Sequence, residues 1–494
     1  MPRAVVYRLF VAWDGATYVN ESARLIQATG DNRLAAPDQI GQGRGQVDRC
    51  TLELDNRDGR FSPLNSGGAL YASIQAGGAY QRPMYLEAAV DGATYSRVFT
   101  GVVKMPQEGT PTPSAPAVTR IECRSWDERL LGRRMSTSAA DLRANNANGA
   151  TEGTIITQWL MLAGTSGYID AGMFVIPWAW LDDESVLEEI WQLASACGGR
   201  FYADPDGALR YEDMAHWLKS PHGTSQETLT RADFSGLEPV YSDADLYSTV
   251  TVESSPRDAG ASDVLWEPDE RVIVPPNSTR AITARLRQAA YSIDAPMWGA
   301  ATAGANDLTA SVSVSVTAYN VQRVELTITN NHATEAAVMH PFSISGRALT
   351  GGPTQEETRT SAANGSNGAW WTARGMVRTK AIRGNAYVQT GAHAGALAQA
   401  LLHRSEAPRL TYKLRGCPGK PSRRCGDRIT INDAAIMSAA RDAFITGISW
   451  RLTRNGFTQD IEAIDAAGLF PYQSDGYFIV GTNTLGASAK RIFY

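Results

Sequence analysis

Residues 50–65 read CTLELDNRDGRFSPLN, and this stretch combines a strand, a turn and a stop. Cys50, Leu52 and Leu54 alternate with Thr51, Glu53 and Asp55, the period of two expected of a strand with one buried face. Asp58-Gly59 follows, a pair that tolerates positive φ and lets the chain turn sharply. Pro63 then ends the run, because it has no N–H to give to a ladder. Working outward, the segment from Pro2 to about Leu130 reads as strands and loops only, with turn residues at Asp14-Gly15, Asp91-Gly92 and the Pro-rich Gly109 to Pro116. Short strands with frequent turns predict an antiparallel barrel or sandwich.

At 494 residues the chain exceeds one ordinary core, and about three or four domains are expected. Hydrophobic residues make up 43% and charged residues 20%, a balance that places it with globular proteins. No run approaches the ~20 apolar residues that span a bilayer; the longest, Ala171 to Leu181, is interrupted by Pro177. The opening MPRAVVYRLF reads as strand, so no secretory signal and a cytoplasmic site of synthesis are expected. Five cysteines do not make a disulfide framework. Cys417 and Cys425 are the only close pair, and the spacing in CPGKPSRRC fits no zinc knuckle.

Charge is unevenly spread. Residues 1–150 carry 17 basic and 15 acidic groups, residues 151–300 carry 9 and 23, and residues 301–494 carry 20 and 13. The acidic middle argues against a grip on nucleic acid, since phosphate contacts need concentrated Lys and Arg. It suits a solvated surface, or a wall along which a polyanion slides without sticking.

Gly41-Gln42-Gly43-Arg44-Gly45 lacks the spacing of a dinucleotide loop and precedes a strand, so a loop is expected there. Arg57 stands where a calcium loop needs an oxygen ligand. Residues 136–150 are small and polar and read as a linker. Ile155, Ile156, Trp159, Leu160 and Ala163 then recur at helical spacing, with Gly164 at the C′ position. Ser185 and Glu188 open a second helix, with Val186, Ile190, Leu193 and Cys197 on its apolar face and Gly198-Gly199 as its stop. A hairpin across Asp206-Gly207 follows, RFYADPDGALRY. Further strands are expected at Tyr247 to Val252 and Arg271 to Val274. A valine-rich hairpin, Val312, Val314, Val316 then Val324, Leu326, Ile328, predicts a β-sandwich-like insertion. Residues 350–369 read as a loop, and Ala394 to Arg404 as a helix. The last block has strands at Leu410 to Leu414, Arg428 to Asn432, Ala443 to Leu452 and Phe457 to Ile464, the last two joined at Asn455-Gly456. The aromatic tail PYQSDGYFIVGTNTLGASAKRIFY is expected to pack on a neighbour.

The order LDNRDGRFSPLN, LY, a basic strand, FTGVV, then CRSWDERLLG resembles the N-terminal barrel of tail-tip hub proteins of tailed bacteriophages. RFYADPDGALRYED after a helix ending in Gly-Gly is similar to their middle domain, and GDRITIND followed by FITGISWRLTRNGFTQDIEAID resembles their second tube-forming barrel. The resemblance implies a mainly β chain with an α/β middle, two tube-type antiparallel barrels and a β-rich insertion. The expected divisions are 1–135 first barrel, 136–235 middle domain, 236–300 connecting segment, 301–405 insertion, 406–466 second barrel and 467–494 tail. It implies a homotrimer that adapts a six-fold tail tube to a three-fold tip. Expected partners are tail-tube, distal tail, tape-measure and fibre proteins, with genomic DNA passing through the lumen. The residues expected to serve structure and assembly are Leu52, Leu54, Asp58, Gly59, Trp126, Trp191, Asp206, Gly207, Gly426, Asp427, Trp450, Asn455 and Gly456.

No catalytic, cofactor-binding or metal residue is expected. None of the six histidines has HExxH spacing, and neither a GxSxG elbow nor a Walker loop is present. Asp204 with Asp206, or Asp243 with Asp245, has the composition of a glycosidase pair, yet Asp204 and Asp206 bracket a turn, where acids are ordinarily structural. The alternative reading is a host-surface glycan binder or depolymerase, for which Trp178, Trp180, Trp370 and Trp371 would supply stacking faces.

Overall fold

The computed structural model describes residues 5–34, 47–75, 81–104, 107–108, 117–138, 148–242, 246–361, 371, 373, 375, 377–407, 409–467, 477–478 and 491–492. The Gly41 to Gly45 loop, Asp243, Asp245, Trp370 and most of the linker and of the C-terminal tail lie outside these residues.

Arg49–Asp55 is an interior strand, flanked antiparallel by Leu25–Arg33 on one side and Val118–Ser125 on the other. Its alternation is the buried pattern expected. Cys50, Leu52 and Leu54 have no exposed surface, while Thr51, Glu53 and Asp55 are half-buried. After it, the Gly59 N–H donates to Asn56 O at 2.9 Å, and Gly59 takes φ +68°, which a residue with a Cβ adopts only at a cost. The segment up to Leu130 is not all strand and loop, however. Ala69–Gln75 forms a helix whose Leu70 is buried, and Glu128–Leu131 forms another.

The architecture is mainly β, with an α/β middle and a β-rich insertion. The two terminal blocks are not separate barrels, because both belong to one fourteen-stranded sheet. Leu25–Arg33 pairs antiparallel with Arg441–Thr453 from Gln27↔Thr453 to Arg33↔Gly447. The sheet runs from Gly236–Ser242 at one edge, through Arg409–Pro418, Gly456–Asp465 and this seam, to Val6–Val11 and Val19–Asn20 at the other. No pairing closes it into a barrel among the described residues. One apolar cluster serves both blocks, uniting Leu52, Leu54 and Leu86 with Tyr412, Ile431 and Leu452. Period-2 patterning identifies strands but carries nothing about which strand lies beside which, so the fusion was hidden from it.

The Asn455-Gly456 turn is displaced by one residue. Thr453 pairs with Gly456, so Arg454-Asn455 are the two central residues and Gly456 opens the next strand. The middle domain has helices Glu152–Leu162 and Val186–Ala196, capped by the Thr151 and Ser185 hydroxyls, with the hairpin Arg200–Ala203 and Leu209–Glu212 beside them. Gly391–Ser405 shares their apolar core. The insertion packs a five-stranded sheet centred on Ala337–Gly351 against a three-stranded sheet of Ser278–Arg285, Val312–Tyr319 and Arg323–Asn330. Within the stretch read as a loop, Gln355–Thr360 is a strand paired with Thr249–Ser254. No described helix is long and apolar enough to cross a membrane.

Leu54→Asp puts a carboxylate where no surface is exposed, a change expected to cost several kcal/mol and to leave the chain insoluble. Glu53→Lys breaks only the pair with the exposed Arg120 and is expected to leave circular dichroism and solubility unchanged. Expression of both variants checks the register.

Candidate assembly junction

The two blocks and the middle hairpin meet around a cavity of about 260 Å³, lined by Asn32, Asp48, Asp204, Arg424, Asp427 and Trp450 among others. Each element brings a polar group that burial obliges to find a partner. The Trp450 Nε1–H donates to Asn32 Oδ1 at 2.8 Å, and Asn32 Nδ2 donates to Asp48 Oδ2 at 3.0 Å. The indole lies so close to Gly30 that a Cβ there would be 2.2 Å from its Cζ2 atom. A glycine is therefore required by approach, not by φ. Along the same seam Arg33 reaches Glu462 at 3.0 Å, and Ser449 donates to Asp31 at 2.9 Å.

Asp48 is fully buried, and burial pushes its carboxyl well above the usual carboxylate range, opposed by the Arg33 N–H and by Asn32 and reinforced by the nearby Asp127. Asp127 has no exposed surface, and burial raises it to about 6. It is reached from Asp48 through Ser125, whose N–H donates to Asp48 O at 3.0 Å and whose hydroxyl donates to Asp127 Oδ1 at 2.5 Å. Asp127 Oδ2 finds no hydrogen-bond partner among the described residues, which suits a protonated acid.

The hairpin turn is clamped from both blocks. Thr100 Oγ1 donates to Pro205 O at 2.7 Å, and its methyl lies 2.7 Å from where a Cβ on Gly207, held at φ +86°, would be. Arg424 pairs with Asp206 at 3.3 Å and gives its N–H to Asp427 Oδ2 at 2.7 Å. Burial raises the Asp427 carboxyl. Gly426, at φ +92°, gives its N–H to Ile445 O at 2.7 Å. Beside it Trp217 stacks on Phe444 at 4.6 Å and 5°. Arg423, nearly buried, forks onto Glu227 at 2.9 and 3.0 Å. Beneath the turn, Glu212 accepts from the Tyr202 hydroxyl at 2.5 Å and pairs with Arg200 at 3.0 Å, while His216 Nδ1 lies 2.8 Å from Asp170.

Five of the expected residues, Asp206, Gly207, Gly426, Asp427 and Trp450, thus converge here. The others do not. Leu52 and Leu54 lie in the sheet core, and Asp58 pairs with Arg24 at 2.6 Å beside Gly59. Trp126 is half-buried on the middle core under Arg129, and Trp191 gives its N–H to Phe201 O at 3.0 Å in that core. Asn455 and Gly456 end a hairpin. Asn32, Asp48, Gly30 and Arg424 were not foreseen; Asn32 and Trp450 stand 418 positions apart, and no local pattern links them.

The tryptophans with a glycan reading are used internally where described. Trp178 is buried, gives its N–H to Arg257 O at 2.8 Å and meets Tyr291 edge-on, fixing the insertion to the middle domain. Trp180 lies under the Arg257 guanidinium at 4.5 Å. Trp371 is buried and donates to Glu406 O at 3.0 Å. Asp204 accepts from Arg210 at 2.5 Å and from Ala208 N–H at 2.9 Å, as a turn acid does. Cys417 and Cys425 are free thiols, and Cys425 Sγ donates to Asn32 O at 3.3 Å.

Geometry and chemistry together define a β-rich protein whose shared polar groups tie two strand blocks to a middle domain. Among solved structures, the chain is similar to a tail protein from Neisseria meningitidis MC58, at 10% identity and TM-score 0.49 over 95% of this chain and 98% of that one. It is also similar to the 43 kDa tail protein of prophage MuSo2 from Shewanella oneidensis, at 12% identity and TM-score 0.45 over 94% and 99%. A third is the E. coli c3393 protein, a component of the type VI secretion system, at 8% identity and TM-score 0.39 over 90% and 74%. No protein-family model and no curated protein matches the sequence.

Trp450→Phe strands Asn32 Oδ1 without its buried donor, and a loss of about 1–3 kcal/mol is expected, read as a lower urea midpoint. Asp127→Asn tests the buried acid. Because the folded state holds its proton up to about pH 6 and the unfolded chain only to about pH 4, native stability falls as pH rises through that window. The variant is expected to match the native chain below about pH 4 and to exceed it by up to about 3 kcal/mol above pH 6. Thermal melts across that range give the comparison.

Proposed function

We propose that this chain is a structural, non-catalytic component of a bacteriophage tail tip: a trimeric hub that adapts a six-fold tail tube to a three-fold tip and forms part of the conduit for ejected DNA. The observation that carries the reading is the seam. Both strand blocks that resemble hub barrels are joined edge to edge in one sheet, which supports reading one protomer as two wall units side by side. Three such protomers would supply six units, the number a six-fold tube requires. The internal use of Trp178, Trp180 and Trp371 favours this over the glycan-binding reading. The expected neighbours are tail-tube, distal tail, tape-measure and fibre proteins.

Electron microscopy of the purified chain, alone and with its tail-tube partner, is expected to show a three-fold ring with six wall units. A particle that stays monomeric in both samples, or one that depolymerises host-surface polysaccharide, would overturn the proposal.

A further inference from the structure

Cys50 and Cys123 stand directly opposite each other on adjacent antiparallel strands, Arg49–Asp55 and Val118–Ser125. Both are without exposed surface, and both face the shared apolar core. The Ser125 N–H donates to Asp48 O, and the Asn56 N–H to Ala117 O. These bonds mark the even-numbered positions of the first strand as the pairs that exchange backbone hydrogen bonds. Such pairs hold their Cα atoms about 5.5 Å apart, inside the range of about 4.4–6.8 Å that a disulfide spans, and closure draws their Cβ atoms in to about 3.5–4.5 Å. Neither thiol has a role in the junction. No other cysteine pair is so placed: Cys197 lies in the middle core, Cys417 faces Gln459 across its strand pair, and Cys425 is engaged with Asn32.

We propose that Cys50 and Cys123 are a latent cross-strand disulfide, formed by exchange with a small dialkyl disulfide. One thiol gives up its proton, and its thiolate attacks a sulfur of the oxidant; a mixed disulfide forms as the oxidant's S–S bond breaks and one thiolate leaves. The second cysteine thiolate then attacks the protein-side sulfur, closing the Cys50–Cys123 bond and expelling the other thiolate. Two protein thiols are oxidised, one small disulfide is reduced to two thiols, and the two protons pass to the leaving groups. Because both sulfurs are buried, exchange waits on opening of the strand pair and is slow. Once closed, the bond ties a loop of the first block and restricts its unfolded state.

The full-length chain, purified reduced, is incubated with excess bis(2-hydroxyethyl) disulfide near the ordinary thiol pKa of about 8.5, then alkylated, unfolded and digested. A linked peptide pair containing Cys50 and Cys123 is expected, together with a higher thermal midpoint that dithiothreitol reverses. Cys123→Ala is expected to lose both the linked peptide and the reversible rise. A parallel incubation in urea just below the unfolding midpoint gives the oxidant entry. Free thiols or separate adducts at both positions in that sample, or Cys50 linked to any other cysteine, would overturn the assignment.

Discussion

The antiparallel pairing of Leu25–Arg33 with Arg441–Thr453 is the constraint on which the rest of this structure depends. It brings together segments from the two ends of the chain and makes one sheet of what would otherwise be two. Its apolar face contributes Ala28 and Leu452 to the common core, while its other face is held by Arg33 with Glu462 and by Ser449 with Asp31. Such a contact spans most of the sequence, so its loop-closure entropy must be met before any of its contacts stabilise the fold. Everything between the two strands, the α/β middle and the sandwich insertion included, is thereby enclosed between fixed points.

That enclosure explains why so many polar groups are buried at the junction. Three elements with hydrophilic turns converge on one place, and polar groups of one element are matched by those of another: Asn32 by Trp450, Pro205 O by Thr100, Asp206 by Arg424. Paired groups of this kind contribute modest net stability, but leaving one unpaired is expensive. The junction therefore acts less as an adhesive than as a check on register, since any slip of the hairpin or of the seam separates several pairs at once. Asp48 and Asp127 are the exception, two buried acids linked through Ser125 whose environment favours their neutral forms.

The insertion is attached by different means. Trp178 enters an apolar contact with Val321 and Leu349, and its N–H is satisfied by Arg257 O. Its ring gives area, while the single hydrogen bond fixes its orientation. Beside this anchor the Val321 N–H donates to Thr137 O at 3.2 Å and Arg323 reaches Asp183 at 3.4 Å, while the sandwich keeps its own core, built on Val324, Leu326 and Ile328 against Val274 and Ile344. None of its strands enters the seam.

The amino-acid sequence by itself determined the local elements. Alternation at Cys50, Leu52 and Leu54 marked a buried strand face, Ser185 and Gly198 bounded a helix, and Asp206-Gly207 marked a hairpin, because these depend on periodicity, capping and backbone freedom within a few residues. The same signals placed the Asn455-Gly456 turn one residue late, and they missed the Ala69–Gln75 helix, which buries Leu70 in the shared core, and the Gln355–Thr360 strand, which is fixed by backbone pairing with the distant Thr249–Ser254. Legible residues of the junction were those with turn or aromatic character: Asp206, Gly207, Gly426, Asp427 and Trp450. Asn32, Asp48 and Gly30 were not legible, because what distinguishes them is a partner far along the chain. Only the tertiary structure decided that the two blocks share one sheet. Edge pairing uses backbone N–H and C=O groups that every strand carries alike, so no side-chain pattern announces which edges will meet.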